Sequence, residues 1–218
     1  MQKEGVPVMY FLAERIQRQC EELRKLIVTD RVPVEGIRMR RGEIPKSVPV
    51  PSVQDGFEPF ENGSIWSGGG SEEYALFRFT AEIPASMQGK AVSLAVRTNK
   101  TGWNALNPQM LCYVGGREHQ GLDTNHFDVL LDGAAQAGRR YDIDLYAFSG
   151  TYLADEGRTK ENDVRLYVHL AASDGRIEGL YYDLSVPLQY VARLPQDHGG
   201  RIRMVEVLNE AVNLIDFR

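Results

Sequence analysis

Cysteine is almost absent: the 218 residues contain two, Cys20 and Cys112. Two such distant thiols give neither a disulfide framework nor a CxxC metal pair. Histidine is nearly as scarce. His119, His126, His169 and His198 are scattered and form no HxH or HExxH pattern, whereas zinc sites commonly draw two ligands from one close pair. No basic run exceeds Arg38-Met39-Arg40-Arg41, and the net charge is −5. Nucleic acid is therefore not an expected partner, because phosphate binding calls for a basic stripe. No apolar run approaches the roughly 18–20 residues of a transmembrane helix, so no membrane partner is expected either. The opening MQKEGVPVMYFLAERIQRQ has no small-residue cleavage site and runs on as a charged helix pattern, which argues against a secretory signal. Together these absences point to a cytoplasmic location.

The chain has ordinary material for a core, at 43% hydrophobic and 25% charged residues. Its length suits one large domain or two small ones. The stretch GWNALNPQMLCYVGGREHQGLDTNHFDVLL, Gly102 to Leu131, organises the rest. Met110, Cys112 and Val114 alternate with Leu111 and Tyr113, the pattern of a half-buried strand. Gly115-Gly116 then predicts a two-residue hairpin turn, whose central positions need positive φ. A polar knot of Asp123, Asn125 and His126 leads into the next strand.

Other segments fall in order around this one. Leu12, Ile16, Cys20, Leu23 and Ile27 keep to one face at helical spacing, predicting an amphipathic helix from Met9 to Val28. Gly36 to Arg40 alternates as a strand, and its arginines read better as a solvated face than as an anion site. Pro45, Pro49 and Pro51 break the following connection. Strands are predicted at Tyr74–Ile83, Ala91–Thr98, Tyr141–Phe148 and Val164–Ala172, close-set as in a sandwich or jelly roll. Ser149 to Asn162 is a polar connection. Asp174-Gly175 is read as a turn into a further extended piece, Ile177 to Asp183. Ser185 is read as the cap of a short helix with Pro187 in its first turn. Arg201 to Phe217 is helical in period, apolar over much of its circumference, and ends without a stop signal, as a lead into further chain would.

Candidate chemistry is sparse. Phe57, Phe60 and Trp66 lie in a glycine-rich loop, FEPFENGSIWSGGG. They could stack on the apolar face of a sugar, but covering the end of a sandwich is the better-supported reading, because large rings dominate burial. Gly68-Gly69-Gly70 lacks the Lys-Ser/Thr that would make a phosphate loop. Asp123, Asn125 and His126 could contact sugar hydroxyls or an ion, yet Asp and Asn in a turn more often bond their own backbone. Asp142 and Asp144 share one strand face at roughly 6.5–7 Å, a glycosidase-like separation. Paired catalytic carboxylates normally come from different elements in a cleft, so this pair is expected to be solvated. No GxSxG motif and no reactive-cysteine signature occurs.

Four ordered blocks resemble the N-terminal region of the cytosolic and bacterial α-mannosidases of glycoside hydrolase family 38. They are GSIWSGGGSEEYALFRFTAEIP (Gly63 to Pro84), the central stretch above, GLYYDLSVPL (Gly179 to Leu188) and LNEAVNLIDFR (Leu208 to Arg218). The resemblance implies a mainly β fold: a jelly-roll or galactose-binding-like β-sandwich with flanking N-terminal and C-terminal α-helices. The expected division is a helix and lead-in strand over 1–54, a sandwich over 55–184, and a helical segment over 185–218 leading to a catalytic barrel. In that family the barrel supplies the zinc site and the Asp nucleophile of a retaining mechanism. No position here matches its zinc-ligand motifs, so the resemblance implies no catalytic residue and no cofactor in this stretch, with zinc in the catalytic domain. It also implies packing on that domain and a homo-oligomer of the full enzyme. A different class of function is a carbohydrate-binding module, with Trp66, Trp103, Phe57 or Phe60 as platforms for a mannose-containing oligosaccharide beside Asn104, Asp123, Asn125 and His126. A third is a free-standing hydrolase using Asp142 and Asp144.

Overall fold

The computed structural model describes residues 6–68, 72–100, 107–150 and 163–216. The chain opens with helix α1 (Val6–Ile27) and strands β1 (Val28–Pro33), β2 (Arg38–Arg41), β3 (Glu58–Pro59) and β4 (Ile65–Ser67). Then follow β5 (Glu73–Glu82), β6 (Ala91–Arg97), β7 (Gln109–Val114), β8 (Arg117–Leu122), β9 (Asp128–Asp132) and β10 (Arg140–Ser149). It closes with β11 (Val164–Arg165), β12 (Tyr167–Ser173), α2 (Gly175–Arg193) and α3 (Gly199–Asn213). The polar connection expected at Ser149 to Asn162 lies, from residue 151 on, outside the described residues.

Two compact units form. One is the sandwich, Asp30–Ala172; the other comprises the chain up to Thr29 and from Ser173 onward. The sandwich has a six-stranded sheet in the order β3-β2-β5-β10-β7-β8 and a four-stranded sheet in the order β1-β12-β6-β9. A two-stranded ribbon, β11-β4, accompanies them. One continuous core joins the inward faces: Phe77 and Phe79 of β5, Ile143 and Leu145 of β10, and Met110 and Cys112 of β7 meet Leu94 of β6, Val129 of β9 and Leu170 of β12. The mainly β, sandwich-type fold is thus as the strand pattern predicts, with helices at both ends of the chain. The alternation holds because a strand that slipped by one residue would turn its whole apolar set to water.

The hairpin also forms where predicted. Gly115 and Gly116 both take positive φ, 57° and 76°, and Val114 pairs with Arg117 across the turn. Positive φ at both central positions is the geometry that matches strand twist, and glycine reaches it without steric cost.

The outer face of the six-stranded sheet is not simply solvated. Ile44 and Val50 from the proline-containing strap between β2 and β3 close over Leu76, with Val53, Phe57, Tyr113 and Tyr146 packed around them. The Ile44 backbone N–H donates to the Tyr146 hydroxyl at 3.0 Å. Leu76 is on the face that alternation alone assigns to water, and the strap is what buries it.

The helical unit corrects two sequence expectations. Ile177 to Asp183 is not extended and Ser185 does not begin a helix, because both belong to the interior of α2. The start signal is Asp174, whose carboxylate accepts the backbone N–H groups of Arg176 at 2.9 Å and Ile177 at 3.4 Å, satisfying orphan donors of the first turn. Leu184, Leu188 and Val191 then recur at helical spacing and are buried with Ile16, Cys20 and Leu23 of α1 and Val205, Leu208 and Val212 of α3. Pro187 stands inside α2, where it withholds one backbone donor; the burial of its neighbours outweighs that loss. The Arg15 guanidinium of α1 ties α3 down, donating to Asn209 Oδ1 at 2.7 Å and Asn213 Oδ1 at 2.6 Å. Helix α3 ends near Asn213, and Phe217 of the predicted stripe lies outside the described residues.

Candidate functional site

The predicted site residues do not converge. Trp66, on β4, is 1% exposed and packs edge-on against Phe77 at 5.8 Å between ring centroids. Phe60 meets the same Phe77 ring at 5.1 Å. Both rings therefore belong to the core at one end of the sandwich, and a ring so enclosed has no face to offer a pyranose. Trp103 and Asn104 lie outside the described residues.

Asp123, Asn125 and His126 do come together, in the turn between β8 and β9. The Asp123 backbone N–H donates to the His126 carbonyl at 2.9 Å, closing the turn. Asp123 Oδ1 accepts the backbone N–H groups of Asn125 at 2.7 Å and His126 at 2.6 Å. His126 Nδ1 stands 3.1 Å from the same oxygen, with its ring largely exposed. Desolvation pushes the Asp123 pKa upward, but the two backbone donors and the His126 ring outweigh it and hold the carboxyl below its ordinary value. This is the backbone-bonded turn that its Asx composition suggests. The recess beside it, lined by Val96, Thr98, Pro108, Met110, Leu122 and Asp123, measures about 10 Å³, room for about one water molecule.

The carboxylate pair on β10 has an organisation that the sequence does not announce. Asp142 accepts a hydrogen bond from the Thr80 hydroxyl at 2.8 Å and stays exposed. Asp144 is not solvated as expected: it is 7% exposed and ion-paired to Arg78 Nε at 2.6 Å. The antiparallel register of β5 and β10 sets Arg78 directly opposite Asp144 and Thr80 opposite Asp142. Arg78 also donates to the carbonyls of Val53 at 2.6 Å and Pro51 at 3.2 Å, and its guanidinium lies over the Phe57 ring at 4.8 Å. One arginine thus fastens the strap to the sheet through an ion pair, two carbonyls and a cation–π contact. Asp144 is an anchor, covered by the strap rather than facing a cleft. Arg38 and Arg41 play a similar part on β2, donating to the carbonyls of Phe57 at 2.9 Å and Trp66 at 2.6 Å. Both stay exposed, as the solvated-face reading expects.

A groove of about 500 Å³ lies in the helical unit, lined by Ala13, Gln17 and Glu21 of α1 with Leu188 and Ala192 of α2 and Arg201 of α3. Arg201 is occupied there as a cap, donating to the carbonyls of Val191 at 3.0 Å and Leu194 at 2.8 Å. Among the described residues no group of three or more His, Cys, Asp or Glu side chains is placed to hold a metal ion. No described helix is long and apolar enough to cross a membrane.

No protein-family model and no curated protein matches the chain. Among solved structures it is similar to part of a β-glucuronidase from Ruminococcus gnavus in complex with D-glucaro-d-lactam. The two are 13% identical with a TM-score of 0.45, over 66% of this chain and 29% of that one. It is likewise similar to part of a putative β-galactosidase from Bacteroides fragilis, 14% identical with a TM-score of 0.45, over 67% of this chain and 23% of that one. This chain thus spans less than a third of the length of either enzyme, and likeness at these values carries no argument about activity.

Proposed function

We propose that this chain is the non-catalytic N-terminal β-sandwich domain of a cytoplasmic α-mannosidase of glycoside hydrolase family 38, packing on a zinc-dependent barrel supplied by the rest of that enzyme. The observation that carries the reading is where the four resembling blocks fall in the fold. Gly63 to Pro84 supplies β4 and β5, Gly102 to Leu131 carries the β7–β8 hairpin and β9, Gly179 to Leu188 lies within α2, and Leu208 onward completes α3. The blocks therefore coincide with the strands and helices that build both units, in order, rather than with one local motif. The state of the acidic residues supports the non-catalytic part. Asp144 is engaged by Arg78 beneath the strap and Asp123 by its own turn, whereas retaining hydrolysis needs two carboxyl groups flanking a bound sugar.

Hydrolysis of an aryl α-mannoside tests the reading. The full gene product is expected to turn it over in a zinc-dependent manner, and the 218-residue chain alone is expected to be inert. Asp142→Asn in the full product should leave kcat unchanged. Turnover by the 218-residue chain, abolished by Asp142→Asn or Asp144→Asn with folding intact, would refute it.

A further inference from the structure

Asn62-Gly63 is the one Asn-Gly pair in the sequence, and the fold uses both members. The pair forms the turn between β3 and β4, closed by the Ser64 backbone N–H donating to the Glu61 carbonyl at 3.0 Å. Gly63 takes a φ of 95°, and a Cβ there would stand 3.1 Å from the Tyr167 ring, so the turn calls for glycine. The Asn62 carboxamide reaches from the turn to the sheet. Its Oδ1 accepts the Val168 backbone N–H at 2.9 Å, and its Nδ2 donates to the carbonyls of Val168 at 2.7 Å and Val34 at 3.0 Å. It thereby clamps β12 to the residue that follows β1, beside the bond that the Val34 N–H itself donates to the Val168 carbonyl at 3.0 Å. Aspartate has the same shape and, ionised, no hydrogen to donate, so the clamp calls for asparagine.

An asparagine followed by glycine carries a chemical liability. The glycine nitrogen, on giving up its proton, attacks the asparagine Cγ. The Cγ–Nδ2 bond breaks, ammonia leaves with that proton, and a five-membered succinimide closes. Water then opens the ring at either carbonyl, leaving aspartate or, with the chain rerouted through the side chain, isoaspartate. The folded sandwich blocks the first step twice. The Gly63 N–H is donated to the Leu166 carbonyl at 2.7 Å, which keeps its proton in place. The Asn62 carboxamide is fastened to Val168 and Val34, so its Cγ is not free to swing onto the Gly63 nitrogen. The unfolded chain has neither restraint, and glycine has no side chain to hinder the attack. The product opposes refolding. A carboxylate at position 62 would meet the Val34 and Val168 carbonyls with nothing to donate to them, and isoaspartate would lengthen the backbone of the turn by one atom.

We propose that Asn62 is a deamidation site gated by the fold: closed while the sandwich stands, open whenever it unfolds, and irreversible once used, because the product does not remake the clamp. The reaction limits how long a chain can stay unfolded and still return to the native state. The residues that create the liability are those that the turn and the sheet edge require, so the fold protects the pair rather than replacing it. This property belongs to the sandwich and stands without the mannosidase reading, because its test reads mass and refolding rather than turnover.

The test is peptide mapping by mass spectrometry of the full gene product, held in mildly alkaline buffer either folded or unfolded in guanidinium chloride. The one-dalton gain on the peptide containing Asn62 should accumulate at least about ten-fold faster in the unfolded sample, because the folded one reacts only through rare openings. On dilution from denaturant, deamidated chains should be depleted from the refolded fraction and enriched in the fraction that fails to refold. Asn62→Asp carries the carboxylate of the product from the start. It should lower the ratio of folded to unfolded chains at least about ten-fold, read from the denaturant midpoint or, where no folded state remains, from circular dichroism. Equal rates of deamidation in the two samples would overturn the proposal. So would deamidated chains that refold as well as intact ones, or an Asn62→Asp variant of wild-type stability.

Discussion

Replacing Asp144 by asparagine preserves the size of the side chain and removes its charge beneath the strap. Arg78 would then keep its two carbonyl partners and the Phe57 ring but lose the carboxylate 2.6 Å away. Removing one partner of a buried ion pair costs about 3–5 kcal/mol, because the remaining charge is left uncompensated. The Arg78 side chain retains 27% exposure, so water relieves part of that cost and the expected loss is about 2–3 kcal/mol. For a chain of this size that lowers Tm by roughly 4–12 °C. Urea unfolding followed by tryptophan emission reports on the sandwich, because Trp66 is in its core. Arg78→Met should cost a similar amount, and the double variant should be less destabilised than the sum of the singles by about 1–3 kcal/mol. Strict additivity, or an Asp144→Asn loss below about 0.5 kcal/mol, the range of surface substitutions, would refute the anchoring role and return Asp144 to the solvated or reactive class.

Burial pushes the Cys112 thiol up to about 12, aided by the Asp144 charge, and burial also raises Cys20. Neither should react with an alkylating reagent at pH 8 until denaturant is added, and rapid labelling of the folded chain would contradict the packing. Burial first, then the charges of Arg31 and Arg97, holds the His169 imidazole below its ordinary value. The unfolded chain takes up that proton near pH 6.5, earlier than the folded one does. The stability it contributes is therefore complete above about pH 6.5 and declines as pH falls through that window. His169→Gln should flatten the urea midpoint between pH 7 and 5; an unchanged slope would exclude His169 as its source. Asp123→Ala should lower stability by about 1 kcal/mol through the loss of its turn hydrogen bonds and leave calorimetric titration with a mannoside unaltered. Loss of mannoside binding at unchanged stability would instead establish the sugar-binding reading of this rim.

The strands are legible from the set that faces the core. Val92, Leu94 and Val96, and Tyr141, Ile143, Leu145 and Ala147, recur at every second residue and are buried there, although Ala95 and Asp144 on the opposite faces are buried as well. Alternation cannot foresee cover arriving from elsewhere in the chain, which is why Asp144 is expected to be solvated and the burial of Leu76 is not expected. The strap that buries them follows β2, far in sequence from β10. Strand pairing is similarly hidden. Arg78 and Asp144 are 66 residues apart, and only the β5–β10 register makes them neighbours. Helix α2 departs from expectation for a different reason. Asp174-Gly175 has the composition of a turn and Ser185 with Pro187 that of a fresh helix start, and the helical period of Leu184, Leu188 and Val191 outweighs both only over the full 19 residues. Trp66 illustrates the limit for sites: a tryptophan among glycines has the same composition whether its ring faces a ligand or Phe77.

We propose this sandwich as one domain of a longer α-mannosidase, and the size of the native gene product tests that most directly. Intact mass, or a denaturing gel probed with an antibody to this domain, should reveal a polypeptide several times longer than 218 residues, with zinc-dependent α-mannosidase activity in the same material. A native product ending near Arg218 would contradict the account.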